Sequence, residues 1–486
     1  MHTQTEIVRQ KVRGQMRAGA GGLARSTPLA DVAARLAERA EGRLVVVDDE
    51  GRPIGTVGAG ELLARVLWQL APEVPVERVM TAPVVTVAED EFLFRALAVM
   101  RRRRLASVPV VDGSGRLVGE LALAEALLAL SGPALKLVDM LTRDDSLEGL
   151  KRVKEAQVAL AEALLNDDVP VPDTQLLLSE INLDLHRRAL ERAIADMERS
   201  GWGRPPVSFA LIVMGSAGRG ESFLAPDQDN GFILADFPDE RLAHVEAYFV
   251  PLAERFTRVL AEIGFPLCKG NVMATNPQWR KRVADLAADV DRWITRSAPE
   301  DLLLCDILID FRHVWGEEAL SRTIKDRMMD AIARRRRFVR DLFSIEADHK
   351  VALGWFGRLK KEPESSERPG TINLKLAGTL PLVEAARLLS LKEGIRECRT
   401  LERLDALQAK GRLGEDEHDY LRYAFGVITE AMLRRQIEEA KAGREADDFV
   451  PEASLTRRQK DQLVAALRVI EDLRGRLGEE LTGTVI

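Results

Sequence analysis

At 486 residues the chain is too long for one ordinary core, and at roughly 150 residues per domain about three are expected. Its 46% hydrophobic and 30% charged content is that of a soluble globular protein, and a net charge of −7 argues against nucleic acid or an anionic membrane as partner. No run of about 18 apolar residues is present, which excludes a bilayer-spanning helix; Cys268, Cys305 and Cys398 lie far apart, as reduced thiols of a cytoplasmic protein would, and the six histidines have no zinc-ligand spacing. In chain order, the first 25 residues hold Arg9, Lys11, Arg13, Arg17 and Arg25 without an apolar stretch, so no secretory leader is expected.

An internal repeat follows. Val46-Val47-Asp48 aligns with Val110-Val111-Asp112, Gly51-Arg52 with Gly115-Arg116, Gly55 with Gly119 and Glu61 with Glu125, all at one offset of 64 positions. In each copy an apolar strand (Leu44–Val47, Val108–Val111) meets a Gly-containing turn and a second strand, which is hairpin chemistry. A helix precedes each hairpin (Leu29–Arg39, Glu91–Arg103) and another follows it (Glu61–Leu70, Ala124–Leu130). With the lead-in Pro83-Val-Val-Thr-Val-Ala-Glu-Asp, residues 20–132 resemble a pair of CBS domains. That resemblance implies either an adenine-nucleotide sensor or a module for homodimerisation. The family's ribose-holding hydroxyl and acid fall at Gly58 and Glu61, and at Ala122 and Glu125, so both hydroxyls are missing. The Arg101–Arg104 run reads as the solvated C-terminal end of a helix.

Apolar residues recur at helical spacing over Leu147–Leu165 and again over Thr174–Arg199, separated by Val169-Pro-Val-Pro-Asp and ended by Gly201-Trp-Gly-Arg-Pro-Pro. Phe209–Met214 is a continuous apolar run, as for a buried strand. It ends in Gly215-Ser216 and a small polar turn through Gly220, and a second strand starting at Asp227-Gln-Asp229 runs into Phe232-Ile-Leu. On a strand Asp227 and Asp229 share a face. Two adjacent carboxylates repel unless a cation lies between them, and Mg²⁺ takes one or two carboxylates plus phosphate oxygens and waters. The Gly215-Ser216 turn offers N–H groups and a hydroxyl to phosphates, and Arg219 a charge-assisted contact.

The string Gly-Ser-x-Gly-Arg-x-Glu…Asp-Gln-Asp-Asn resembles the bacterial family of CBS-linked nucleotidyltransferases, relatives of the polymerase-beta-like enzymes and of the uridylyltransferases that modify the PII signalling protein. The resemblance implies a third carboxylate from a later strand. Asp301-Leu-Leu-Leu-Cys-Asp-Ile-Leu-Ile-Asp-Phe-Arg offers Asp306 and Asp310 on one strand face, and the family's Phe-Asp-x-Arg element falls on Ile309-Asp310-Phe311-Arg312, favouring Asp310. Cys268-Lys-Gly-Asn-Val-Met-Ala and Asn276-Pro-Gln-Trp279 also match, with Lys269 and Asn271 either touching substrate or forming a core turn. Beyond residue 316 helical periodicity dominates, broken at Lys361–Gly370. Arg334–Arg337 reads as the salt-bridged face of a helix shared with Phe338. Ile372-Asn-Leu-Lys375, Pro381–Leu391, Thr400–Leu404 and Gln436 resemble the helical substrate-binding domain of the same family, where Arg387 and Arg403 either hold phosphate or pair with helix acids.

The sequence thus predicts an α/β multidomain chain: a tandem CBS pair (1–145), helical linker (146–204), polymerase-beta-like α+β nucleotidyltransferase domain (205–325) and all-α C-terminal domain (326–486). The resemblance implies a cytoplasmic enzyme with Mg²⁺ or Mn²⁺ on Asp227, Asp229 and Asp310, and an NTP held by Gly215, Ser216 and Arg219. NMP would pass to a protein or small-molecule acceptor under CBS control. The alternative is a non-catalytic nucleotide sensor, against which stands the retention of a repulsive acid pair.

Overall fold

A computed structural model describes residues 10–483 apart from 20, 38–42, 59–70, 104, 124–125, 128–143, 336 and 355–356. The chain divides into two compact units, Met1–Asp145 and Ser146–Ile486.

In the first unit the 64-residue repeat reappears as geometry. Strands β1 (Arg17–Ala18), β2 (Leu23–Ala24), β3 (Arg43–Val47), β4 (Pro53–Gly58), β5 (Val87–Ala88), β6 (Ser107–Val111) and β7 (Leu117–Ala122) form two sheets, ordered β2-β3-β4 and β1-β7-β6-β5. Leu44 pairs with Val57 in one hairpin and Val108 with Leu121 in the other, each with a register shift one residue before the turn. Both turns are built alike: Asp48 Oδ1 accepts from the Glu50 and Arg52 N–H groups, Asp112 Oδ1 from those of Ser114 and Arg116. Gly51 and Gly115 take the left-handed φ (82° and 81°) that the turn requires. Helices α1 (Leu29–Ala37) and α2 (Leu93–Arg102) precede the hairpins as expected. The expected helix at Glu61–Leu70, most of that at Ala124–Leu130, and both Glu61 and Glu125, lie outside the described residues; Gly58 and Ala122 end β4 and β7.

The second unit begins with α3 (Leu147–Asn166) and α4 (Val171–Arg199). Helix α4 is buried along most of its length, polar residues included: Gln175, Ser179, Glu180, Asn182 and His186 are all 2% exposed or less. A polar helix can be buried only if its side chains find partners, and several hold the loop that follows β8 (Phe209–Val213). The sheet of this unit is ordered β10-β9-β8-β11, with β9 (Asn230–Leu234), β10 (Arg280–Arg282) and β11 (Arg312–Gly316). Around it lie α5 (Gly215–Arg219), α6 (Leu242–Ile263), α7 (Val283–Arg296), α8 (Pro299–Ile309), α9 (Glu318–Arg334) and α10 (Phe338–Glu346). A two-stranded sheet, β12 (Thr371–Asn373) with β13 (Phe449–Pro451), accompanies the closing helices α11 (Leu380–Lys392), α12 (Thr400–Ala409), α13 (Glu415–Lys441) and α14 (Arg457–Thr482). One hydrophobic core runs from Ala210 on β8 to Leu477 on α14.

Three local expectations are corrected. Residues 299–309 are a helix, not a strand: Pro299 at its first position with Glu300 and Asp301 in the first turn starts it. The Leu302–Ile309 run is apolar on every side, a pattern that does not separate a buried helix from a buried strand. The turn after β8 closes into the five-residue helix α5, ended by Gly220 at φ 71°. Finally, α9 stops at Arg334 and α10 starts at Phe338, with Arg335 and Arg337 paired to Asp341.

Candidate functional site

The Asp227–Asp229 segment precedes β9 rather than opening it. Its backbone is held on both edges: the Met214 N–H donates to the Asp229 carbonyl at 2.9 Å and the Gln228 N–H to the Pro266 carbonyl at 3.1 Å. Between the two acids the Gln228 side chain turns inward and donates to the Phe265 and Thr257 carbonyls, and the buried Asn230 oxygen accepts from the Ala274 N–H. Gln228 and Asn230 are fully buried, whereas Asp227 is exposed and Asp229 half-buried. The alternation therefore puts the two carboxylates on the open side. Sequence reasoning passed over Gln228 and Asn230, although polar residues alternating with acids at a strand mouth were the available signal.

Both acids are pushed above the ordinary carboxylate range. For Asp227 the cause is burial, with Asp448 adding to it and Lys375 and Lys269 opposing. For Asp229 it is burial and then the neighbouring Asp227 charge, opposed by a hydrogen bond from the Cys268 thiol, by Lys375 and by Arg219. The Cys268 thiol is itself pushed up to about 11 by burial and by Asp229. Two acids held side by side, each raised by burial and one of them also by the other's charge, suit a cation between them.

Gly215 has φ 60°, and a Cβ there would stand 2.7 Å from Asp229 Oδ2, so only glycine lets α5 approach the acid. Ser216, half-buried, lines a cavity of about 680 Å³ together with Asp227, Lys269 and Arg219. Arg219, expected on phosphate, is committed internally: its Nε donates to Glu221 at 2.9 Å and its Nη1 to Asp310 at 3.2 Å.

Asp310 does not join the other two acids. It caps α8, is 1% exposed, and accepts from Arg403 Nη2 at 2.5 Å, Arg219 Nη1 at 3.2 Å and Arg387 Nη1 at 3.3 Å. Burial alone would raise its pKa; Arg403, Arg387 and Arg219 reverse that and hold it well below the usual carboxylate range. Asp306, one helical turn earlier, pairs with Arg387, which also meets Glu346 at 2.8 Å. Among the described residues no group of three His, Cys, Asp or Glu is placed to hold a metal. Asp310, expected beside the pair, here ties together the arginines of α5, α11 and α12 at the end of α8. Arg387 and Arg403 take the ion-pair alternative.

The cavity's opposite wall comes from residues 362–383 and 425–449. Lys375 there pairs with Asp448 at 3.3 Å and Arg368 with Asp447 at 2.9 Å, and Lys375 acts electrostatically on both Asp227 and Asp229. Its sequence position carried no sign of this, because the contact joins segments some 150 residues apart in the chain, by roughly the separation of Lys375 from Asp227. Asn271 adopts φ 54° and accepts at its backbone carbonyl from Asn276 Nδ2 at 3.1 Å, in a turn that leaves it exposed. The loop between α5 and Asp227 is clamped by four side chains from three helices: Gln175 and Ser179 of α4 bond Glu221 and Ser222, Lys154 of α3 donates to the Leu224 carbonyl, and Gln436 of α13 accepts from the Leu224 N–H.

Three family models match the chain. "Putative nucleotidyltransferase DUF294" covers residues 155–300, "Putative nucleotidyltransferase substrate binding domain" covers 336–481, and "CBS domain" covers 23–67 and 76–132. The chain therefore carries a CBS pair, then a nucleotidyltransferase-like domain and a helical C-terminal region. An uncharacterized protein of Methanopyrus kandleri is 29% identical over 99 residues, 20% of this chain and 50% of that protein. An uncharacterized 33.4 kDa protein of Thermofilum pendens is 33% identical over 85 residues, 18% of this chain and 28% of that protein. The chain spans half or less of the length of these curated relatives. Among solved structures, the CBS domains of a Streptococcus pneumoniae transcriptional regulator are 16% identical with TM-score 0.23, covering 24% of this chain and 98% of that one. CBSX2 in complex with AMP is 24% identical with TM-score 0.23, covering 26% and 97%. Among the described residues no helix is long and apolar enough to cross a membrane.

Proposed function

We propose that the chain is a cytoplasmic, divalent-metal-dependent nucleotidyltransferase that moves an NMP group from an NTP to an acceptor hydroxyl. The observation that carries this reading is the strapped pair Asp227 and Asp229, both with raised pKa, beside the Gly215-Ser216 turn and a nucleotide-sized cavity. The two carboxylates suit Mg²⁺ or Mn²⁺, which needs one or two protein carboxylates when substrate phosphates and waters complete the shell. Bound there, the cation would neutralise charge on the phosphates and on the attacking and leaving oxygens. Ser216 offers its hydroxyl to the triphosphate, and Lys269 and Lys375 line the same cavity with mobile point charges suited to phosphate. Arg219 acts indirectly, keeping α5 against Asp310.

The acceptor oxygen forms the new bond to the α-phosphorus, its proton passes to solvent, the α–β bridging bond breaks and pyrophosphate leaves. The resemblance to the PII uridylyltransferases favours a protein acceptor. The CBS pair is the regulatory and homodimerising module; with Gly58 and Ala122 in place of hydroxyls, an adenine nucleotide bound there has fewer contacts to offset its loss of freedom, and weak binding is expected. Calorimetric titration of the full chain with NTP, with and without Mg²⁺, tests the site. Metal-dependent binding should vanish in Asp227→Asn and Asp229→Asn; its persistence in both would sink the assignment.

A further inference from the structure

We propose that Gln175 reads the base of the incoming nucleotide, so that the cavity favours a base carrying an exocyclic amino group, adenine or cytosine, over one lacking it. This rests on the nucleotidyltransferase reading above and goes beyond it by naming the donor nucleotide's class.

Gln175 lies near the start of α4, is 1% exposed and lines the cavity. Its Nε2 donates to the Glu221 carbonyl at 3.1 Å. A carbonyl can only accept, so this bond fixes which end of the amide is nitrogen and leaves Oε1 facing elsewhere. Oε1 is buried with no hydrogen-bond partner, and among the described residues lining the cavity it is the one buried side-chain oxygen or nitrogen in that condition. Its polar neighbours are satisfied from within the protein. Gln436 accepts from the Leu224 N–H and donates to Asp448 Oδ1, while Thr379 and Thr429 donate to the Lys375 and Phe425 carbonyls. A buried amide oxygen left dry has lost its hydration without return, and a ligand that brings a donor supplies the missing bond.

The surroundings restrict what that ligand is. Phe223, Val383 and Phe425 line the same cavity, offering apolar surface to a flat ring. Ser216, Asp227, Lys269 and Lys375 place the phosphate chemistry in the same cavity. A heteroaromatic ring joined to a polyphosphate, with one donor on its edge, meets all of these conditions. The exocyclic amines of adenine and cytosine are such donors, whereas uracil presents a carbonyl at that position. Uracil's ring N–H is flanked by two carbonyls, whose lone pairs would face Oε1 on either side.

The test is calorimetric titration of the full chain in Mg²⁺ with two matched pairs, ATP against purine-riboside triphosphate and CTP against UTP, in the wild type, Gln175→Ala and Gln175→Met. In the ring size the cavity accepts, the amino-bearing member should bind about tenfold tighter, equivalent to about 1.4 kcal/mol. In both variants that ratio should fall to about one, while the preference for triphosphate over monophosphate persists. A ratio near one in the wild type, or a ratio that survives in both variants, overturns the proposal, and the wild-type pairs decide it even if a variant does not fold. Absence of Mg²⁺-dependent binding of every nucleotide would overturn the underlying transferase reading and the proposal with it. Equal binding within each pair, with Mg²⁺ dependence intact, would remove the role of Gln175 alone.

Discussion

Replacing Asp310 with asparagine separates a structural acid from a metal ligand. Asp310 is 1% exposed and meets three guanidinium groups. Two of these keep other acids if its charge is lost: Arg387 retains Asp306 and Glu346, and Arg219 retains Glu221. Among the described residues Arg403 retains the Glu397 carbonyl at 2.8 Å and no acid, with its side chain 3% exposed. The cost thus concentrates on one stranded buried cation, for which breaking a buried pair from one side costs about 3–5 kcal/mol. Urea unfolding without metal, followed by tryptophan fluorescence, is the assay, since Trp202, Trp279, Trp293, Trp315 and Trp355 all fall after residue 146 and Trp68 alone before it. Asp310→Asn should lose about 3–5 kcal/mol, and adding Arg403→Met should recover part of it by removing the stranded charge. A metal-ligand acid would behave in the opposite way, with metal-free stability unchanged and only Mg²⁺-dependent stabilisation lost. A loss below about 1 kcal/mol in the single variant would refute the reasoning.

Three further outcomes are expected. Asp229→Asn should raise the metal-free melting temperature at neutral pH: the folded pKa of Asp229 is raised, so wild-type stability falls as pH rises above the ordinary carboxylate value, and the amide removes that slope. Gly215→Ala should weaken Mg²⁺–NTP binding in calorimetry and destabilise by about 1–3 kcal/mol, from the left-handed φ and the 2.7 Å approach to Asp229. Lys154, buried and donating to Gln157, Asn182 and the Leu224 carbonyl, has its pKa lowered by burial to about 7. The unfolded chain then binds more protons between about pH 7 and the ordinary lysine value, so stability should climb across that window, and Lys154→Met should flatten the climb in urea unfolding at pH 7, 8.5 and 10, by roughly those settings.

The parts legible in the sequence were those written in local pattern. The 64-residue repeat survived because the Asp48 and Asp112 turns dictate their own geometry, and β8 was legible because six consecutive apolar residues ending at Gly-Ser suit little else. Residues 299–309 read as a strand because an all-round apolar run fits helix and strand alike, and the helix start is marked by Pro299 and the two acids after it alone. The environment of Asp310 was out of reach for a different reason. Its strongest partner, Arg403, lies 93 residues away in sequence, and spacing cannot tell a guanidinium aimed at phosphate from one aimed at a buried acid. Gln175 was equally hidden, on a helix whose polar face resembles a solvated one until the fold buries it.

The central claim is tested most directly by supplying the full chain, Mg²⁺ and a cell lysate with each NTP labelled in turn at the α- and the γ-phosphate. Nucleotidyl transfer requires that label from one α-labelled NTP enter an acceptor while the matching γ-label leaves as pyrophosphate, and that both disappear in Asp227→Asn. Transfer of the γ-label to the acceptor, or α-label incorporation undiminished in Asp227→Asn, would contradict the account.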